Sequence, residues 1–186
     1  MLILASGSPR RRELLTQIDI PYMVNPSSYR EEAPKKKDPE KFVEAQAVGK
    51  AKDVASKYPK QWVLGADTIV VVDNKVLGKP KNEKEAKDML HALSDKKHSV
   101  LTAVALVKDD TVRTKVVETK VWFRDLSDKE IDAYVATGEP LDKAGAYGIQ
   151  GRAAAFVEKI NGSYTNVVGL PLSQVCKMLR KAKVDL

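Results

Sequence analysis

At 186 residues the chain fits one domain comfortably, and two only if both are small. Lys and Arg total 32 against 25 Asp and Glu, a formal charge of +7 that favours an anionic partner: nucleic acid, nucleotide or acidic membrane surface. One cysteine excludes a disulfide framework, and no apolar run reaches membrane-spanning length, so the expectation is a reduced, cytoplasmic protein without a membrane anchor.

Residues 2–5 (LILA) read as a short strand. Ser8 as N-cap and Pro9 at the first helical position predict a helix start. Residues 21–25 form a candidate second strand, and "EEAPKKKDPE" (31–40) reads as a mobile polar loop. A helix is expected from about Pro39 to Tyr58. Residues 61–80 read as an apolar strand, a turn at Asp73-Asn74-Lys75 and a short returning strand. Asn82 caps a helix over 82–93, and two long strands follow, joined at Asp109-Asp110. A Ser-x-x-Glu box and a terminal Gly bound a helix over 127–138. After a glycine-rich loop, Asn161-Gly162 predicts a β-hairpin, and a helix from about Pro171 closes the chain. Alternation early and hairpins later argue for an α/β fold with a mixed sheet.

Three consecutive arginines, Arg10 to Arg12, sit in the first turn of the first helix. Positive side chains there oppose the helix dipole, and an arriving anion reverses the sign. Ser6 and Ser8 add hydroxyl donors, and Gly7 permits close backbone approach. The reading is a polyphosphate cradle; the alternative is an exposed basic helix. Asp67 interrupts the most apolar run, "WVLGADTIVVV". A buried carboxylate needs a cation, a metal or several donors. Even spacing places Asp67 with Gly65 and Ile69, and Thr68 with Ala66 and Val70 on the other face. Gly65 is expected to leave space for a ligand beside the acid. The alternative is a carboxylate capping a loop.

On the Pro39 helix, Lys50 lies about 20° from Val43 at the edge of the apolar stripe. It either reaches toward a site or snorkels to water. Lys79, between Gly78 and Pro80, is a rigid lysine able to neutralise charge on phosphate, or an ordinary turn lysine. Glu31 and Glu32 in the polar loop are candidate metal carboxylates or solvated acids. In "EPLDKAGAYGIQG" (139–151), Gln150 offers the donor and acceptor a nucleobase edge requires, and Tyr147 stacks on a base or packs in the core. His98 and Cys176 read as structural.

Six blocks in order, "LASGSPRRRELL", "LGADTIVV", "LGKP", "HSVLTAVAL", "EPLDKAGAYGIQG" and "INGSYTNVVGLP", resemble the Maf family of nucleoside triphosphate pyrophosphatases. The resemblance runs from Leu2 to about residue 180. It implies one α/β domain over 1–186: an elongated mixed sheet flanked by helices around a central cleft, shared with inosine triphosphate pyrophosphatases. It also implies hydrolysis of a nucleoside triphosphate to monophosphate and pyrophosphate with a divalent cation (Mg, Mn or Co), and a homodimer. On the matching positions, Asp67 becomes the general base and a metal ligand, with Lys50 and Lys79 catalytic. Ser6, Ser8, Arg10 and Arg11 bind substrate, and Glu31, or alternatively Glu32, is the metal-linked acid. Arg11, Thr68 and Gln150 resemble the branch acting on dTTP, UTP and modified pyrimidines. Asp95, where the family usually has glycine, and Arg12, which lengthens the basic run, depart from the pattern. The rival reading is a non-enzymatic nucleic-acid binder or division regulator. Few aromatics and no basic stacking stripe argue against it, so no stable nucleic-acid complex is expected.

Overall fold

A computed structural model describes residues 1–34 and 37–184; Lys35 and Lys36 of the expected polar loop lie outside the described residues, as do 185 and 186. Among the described residues seven strands form one mixed sheet: β1 (Leu2–Leu4), β2 (Tyr22–Val24), β3 (Trp62–Val72), β4 (Lys75–Leu77), β5 (Lys97–Lys108), β6 (Thr111–Phe123) and β7 (Val157–Asn161). Their order is β2-β1-β3-β5-β6-β7, with β4 paired to β3 off this path. β1 pairs parallel with both β2 and β3, and the remaining pairs are antiparallel. The α/β class and mixed sheet expected from the sequence are borne out.

β3 is apolar on both faces because both are covered. Val63 and Ile69 pack with Ala47, Ala51 and Val54 of α2 (Pro39–Ala55). Leu64, Ala66 and Val70 face the larger core, which includes Leu90 and Leu93 of α3 (Glu83–Leu93). Ile131 and Val135 of α4 (Asp128–Ala136) and Leu179 of α6 (Leu172–Lys181) belong to the same core. Each fully buried aliphatic side chain contributes about 1.5–3 kcal/mol, so β3 is a firm platform.

Its edge is incomplete. β1 covers β3 only at Trp62–Leu64, and β4 covers it only at Val70–Val72. Neither covers residues 65–69, while β5 pairs continuously along the opposite edge. At this gap the chain leaves β1 through Ser6-Gly7-Ser8 into α1 (Pro9–Gln17). The Ser8 hydroxyl accepts the Arg11 N–H there, as the cap reading predicted.

The caps at Asn82 and Ser127 form as expected, and Ser127 with Glu130 completes a reciprocal capping box. The hairpin expected at Asn161-Gly162 does not form. β7 pairs with β6, and the segment expected to return as a strand is instead a short helix, α5 (Tyr164–Val168). Ser163 caps it by accepting the Asn166 N–H, and Thr119 Oγ1 accepts the Ser163 N–H at 3.0 Å. The local Ser cap and these tertiary bonds outweigh the Asn-Gly turn preference. Asp95 takes φ +54°, a left-handed conformation that explains why glycine suits the position.

Candidate active site

A cleft of about 370 Å³ opens at the gap in β3, joined to a smaller lobe of about 250 Å³ at the Ser6-Gly7-Ser8 turn. The larger lobe is lined by Ser8, Arg10, Arg11, Glu31, Lys50, Asp67, Thr68, Lys79 and Gln150. Ser6 lines only the smaller lobe, with Ser8, Arg10, Arg11, Glu31, Lys50 and Lys79 shared between the two. The basic helix start and the strand carboxylate therefore face one crevice. Ser6, Ser8, Arg10, Arg11, Glu31, Lys50, Asp67, Thr68, Lys79 and Gln150, all site candidates from the sequence, line one lobe or both, whereas the alternative acid Glu32 does not. Arg12 also lines neither. The Glu32 N–H donates to Gln46 Oε1, and the Arg12 carbonyl accepts from the Tyr22 hydroxyl.

Lys50 reaches the site rather than snorkelling. Its Nζ donates to Asp67 Oδ1 at 2.8 Å and lies 2.7 Å from Glu31 Oε1. Both Lys50 and Asp67 side chains are only 13% exposed, so each buried charge has its counter-charge. Burial pushes the Glu31 carboxyl up. The Lys50 bond and the charges of Lys50, Lys79 and Arg11 outweigh that, and its pKa falls below the ordinary carboxylate value.

Gly65 does not make room for a ligand. A Cβ there would meet Ala47 O at 2.7 Å and Ala51 N at 2.8 Å, so the glycine admits the α2 backbone against β3. That close packing brings Lys50, the neighbour of Ala51, over Asp67. The sequence showed the missing side chain but not what filled its place.

Arg11 is built into the wall. Its Nε donates to Gly169 O at 2.8 Å, Nη2 to Thr68 Oγ1 at 3.1 Å, and Nη1 to Ser6 Oγ at 3.4 Å. Burial lowers its pKa; Asp67 and Glu31 act in the opposite sense and Arg10 adds to the lowering. Arg10 is the freer guanidinium, 3.5 Å from the exposed Asp142. The arginine run thus divides three ways: one lining the open cleft, one built into the pocket frame, one away.

Tyr147 packs rather than offering a free stacking face. It is 6% exposed, its hydroxyl lies 2.6 Å from His98 Nε2, and its ring meets Phe123 edge-on. His98 is buried and structural, as read.

Glu139, Asp142 and Lys143 also line the cleft and were not singled out. Lys143 Nζ donates to Glu139 O and Asp142 Oδ1, and the Tyr134 hydroxyl donates to Glu139 Oε1. A side chain at Gly151 would strike the Glu139 carboxylate. Charges in a polar loop are ordinarily solvated, so nothing in the sequence separated these three from surface residues; only the fold brings them to the cleft.

Asp67 and Glu31 converge on one ammonium, and each keeps a second carboxylate oxygen. That donor set fits a hard divalent cation completed by phosphate oxygens and water. Among the described residues, no group of three His, Cys, Asp or Glu is placed as a metal cage.

Comparison with known proteins identifies the family and the fold. The family described as Maf-like protein matches residues 1–182. The chain belongs to the Maf family. A Geobacillus relative named dTTP/UTP pyrophosphatase is 51% identical over 180 residues, covering 97% of both chains. One of the same name from Symbiobacterium thermophilum is 54% identical, covering 96% of this chain and 92% of its own. Among solved structures, Ham1 proteins from Coxiella burnetii and Staphylococcus aureus align with TM-scores of 0.55 and 0.53 at 18% and 15% identity. Each alignment covers 97% of this chain and 98% of the other, a likeness of fold alone. The Maf sheet and its central cleft are the frame the sequence motifs implied. Among its described residues no helix is long and apolar enough to cross a membrane.

Proposed function

We propose that the chain hydrolyses dTTP and UTP, and modified pyrimidine nucleotides, to the monophosphate and pyrophosphate, as a cytoplasmic house-cleaning enzyme working as a homodimer. One observation carries this reading: the cleft is chemically divided along β3. On the Asp67 side stand Lys50, Glu31, Lys79 and Arg10, with the Ser6-Gly7-Ser8 turn beside them. On the Thr68 side stand Val70, Val100, Val167 and Ile149 with Gln150. A cation-rich half beside a half with apolar walls, bordered by Glu139 and Lys143 near Gly151 and Gly148, suits a polyphosphate joined to a base. Relatives about half identical over nearly the whole chain bear names for this activity.

In this mechanism Ser6, Ser8, Arg10 and the helix start bind the phosphates. Asp67 orients a water against the α-phosphorus and takes its proton. The water oxygen bonds to that phosphorus, the bond to the bridging oxygen breaks, and pyrophosphate leaves. Lys50 fixes the Asp67 carboxylate and, with Lys79, stabilises the developing charge. Asp67 and Glu31 would hold a divalent cation, Mg, Mn or Co, whose charge neutralises phosphate oxygens. Arg11, Thr68 and Gln150 contact the base.

The test is product analysis in ¹⁸O-water with dTTP, UTP and magnesium. The label is expected in the monophosphate, with one pyrophosphate released per turnover. Label in pyrophosphate, or release of orthophosphate, would move the attack to another phosphorus and end this mechanism. Asp67→Asn is expected to lower turnover about 10²–10⁴-fold while nucleotide binding survives.

A further inference from the structure

Thr102 sits on β5, fully buried and outside the cleft lining. Its Oγ1 lies 3.1 Å from Asn166 O and 2.9 Å from Thr68 Oγ1. A carbonyl carries no proton, so the first contact is a hydrogen bond only if Thr102 donates. A hydroxyl has one proton. Thr68 must therefore donate its own proton to Thr102. The reverse arrangement would set lone pairs of Thr102 and Asn166 O against each other in a buried site and lose one bond.

With that proton committed, Thr68 Oγ1 keeps two lone pairs. One accepts from Arg11 Nη2 at 3.1 Å. Arg11 cannot reverse this bond, because a guanidinium only donates. The remaining lone pair belongs to the cleft that Thr68 lines. We infer that Thr102 fixes Thr68 as an obligate acceptor and thereby makes the pocket select pyrimidines bearing an N3–H, uracil and thymine, against cytosine. Cytosine presents a bare N3 acceptor at that place, and two lone pairs would face each other. Gln150 cannot make this choice alone, since its amide holds both a donor and an acceptor and can turn over.

Thr102 is a positioning residue: it acts through Thr68 and touches no substrate. The inference rests on the reading that Thr68 meets the base. Its test separates the two. Wild-type protein and Thr102→Val are compared on UTP and CTP, with Thr102→Ser as rescue. Valine keeps the shape but removes the acceptor that holds the Thr68 proton, while Asn166 O retains the Gly169 N–H. The freed hydroxyl can then donate to cytosine N3. The ratio of kcat/KM for UTP over CTP is expected to fall about tenfold or more in Thr102→Val and to return in Thr102→Ser. A purely structural role lowers both substrates together and leaves the ratio alone, and that result would overturn the inference. Neutron diffraction of deuterated wild-type crystals decides the same point without turnover or any variant. Deuterium on the line from Thr68 to Thr102 supports the assignment, and deuterium turned into the cleft refutes it. If wild type hydrolyses neither UTP nor dTTP, the functional reading falls, while the neutron map still decides the hydroxyl's direction.

Discussion

Gly65→Ala tests whether backbone packing beneath the site sets its geometry. The added Cβ would stand 2.7 Å from Ala47 O, 2.8 Å from Ala51 N and 2.9 Å from Ala51 Cβ. The shortfall from ordinary contact is about 0.7 Å, and two of the three neighbours are backbone atoms that cannot rotate aside. α2 must therefore retreat or β3 must bend. Overpacking of this kind costs about 1–3 kcal/mol. For a domain of this size that lowers Tm by about 2–4 °C per kcal/mol. The same retreat draws Lys50 off Asp67, and their 2.8 Å bond has little slack. Displacements of this order cost about 10–100-fold in turnover. Calorimetry and steady-state kinetics on one preparation measure both effects. Gly78→Ala is the thermal control, because its Cβ would meet only Pro34 Cγ at an ordinary 3.4 Å. An unchanged Tm and turnover in Gly65→Ala would mean α2 does not press on β3 as described, and the account of how Lys50 is placed would fail.

Lys50→Met leaves Asp67 and Glu31 facing each other without their shared cation. A stability loss of about 3 kcal/mol is expected, mainly from Asp67, because half-exposed Glu31 is screened by water; urea unfolding measures it, and a loss under about 0.5 kcal/mol would contradict the pairing. The Glu31 carboxyl should also titrate higher in that variant, seen by NMR. Arg11→Lys keeps the charge but cannot serve Gly169 O, Thr68 and Ser6 together. KM for UTP is expected to rise about tenfold, from the loss of about 1.5 kcal/mol of aligned bonds, and an unchanged KM would show the fork is idle. His98 is buried neutral, with its pKa lowered to about 4 from the ordinary 6.5. The unfolded chain takes that proton first. Its contribution is therefore intact above about pH 6.5, falls by about 1.4 kcal/mol per unit as pH drops, and levels off near pH 4. Urea midpoints between pH 7 and 5 should show this slope, and His98→Asn should flatten it.

Periodicity and capping made most of the fold legible. Ser8-Pro9, Asn82 and the Ser127–Glu130 box each mark a helix start that forms. Alternation along β3 correctly set Asp67 and Thr68 on opposite faces. What stayed hidden was tertiary. Asn161-Gly162 carries a hairpin's local signal, yet Ser163 caps a helix whose Asn166 donates to Val100 O and Thr119 Oγ1. Nothing within those residues reveals partners more than forty positions away. Gly65 likewise showed an absence of side chain but not whether ligand or helix filled it. Arg10, Arg11 and Arg12 are identical in the sequence and differ in role because a helix turns each by 100°. The run could be read as basic, but not divided.

The gap in the β3 edge explains why two adjacent residues can serve one ligand. Consecutive strand residues point to opposite faces, so Asp67 and Thr68 would ordinarily be separated by the sheet itself. An unpaired stretch removes that barrier: a ligand lying along the open edge reaches both faces at once. The cation-rich half comes from the α2 side, where Lys50 and Glu31 lie, and the half with apolar walls from the opposite core, where Val70 and Val100 lie. The division of the cleft is then a consequence of strand alternation and not of a special loop. It also makes the opening's extent a matter of two short strands. β1 stops at Leu4 because the chain must turn at Ser6-Gly7-Ser8 to start α1, and β4, antiparallel to β3, ends at Leu77 opposite Val70, where Gly78-Lys79-Pro80 breaks the strand. Lengthening either strand toward residues 65–69 would close the edge with backbone. The site would then be lost with every side chain still in place.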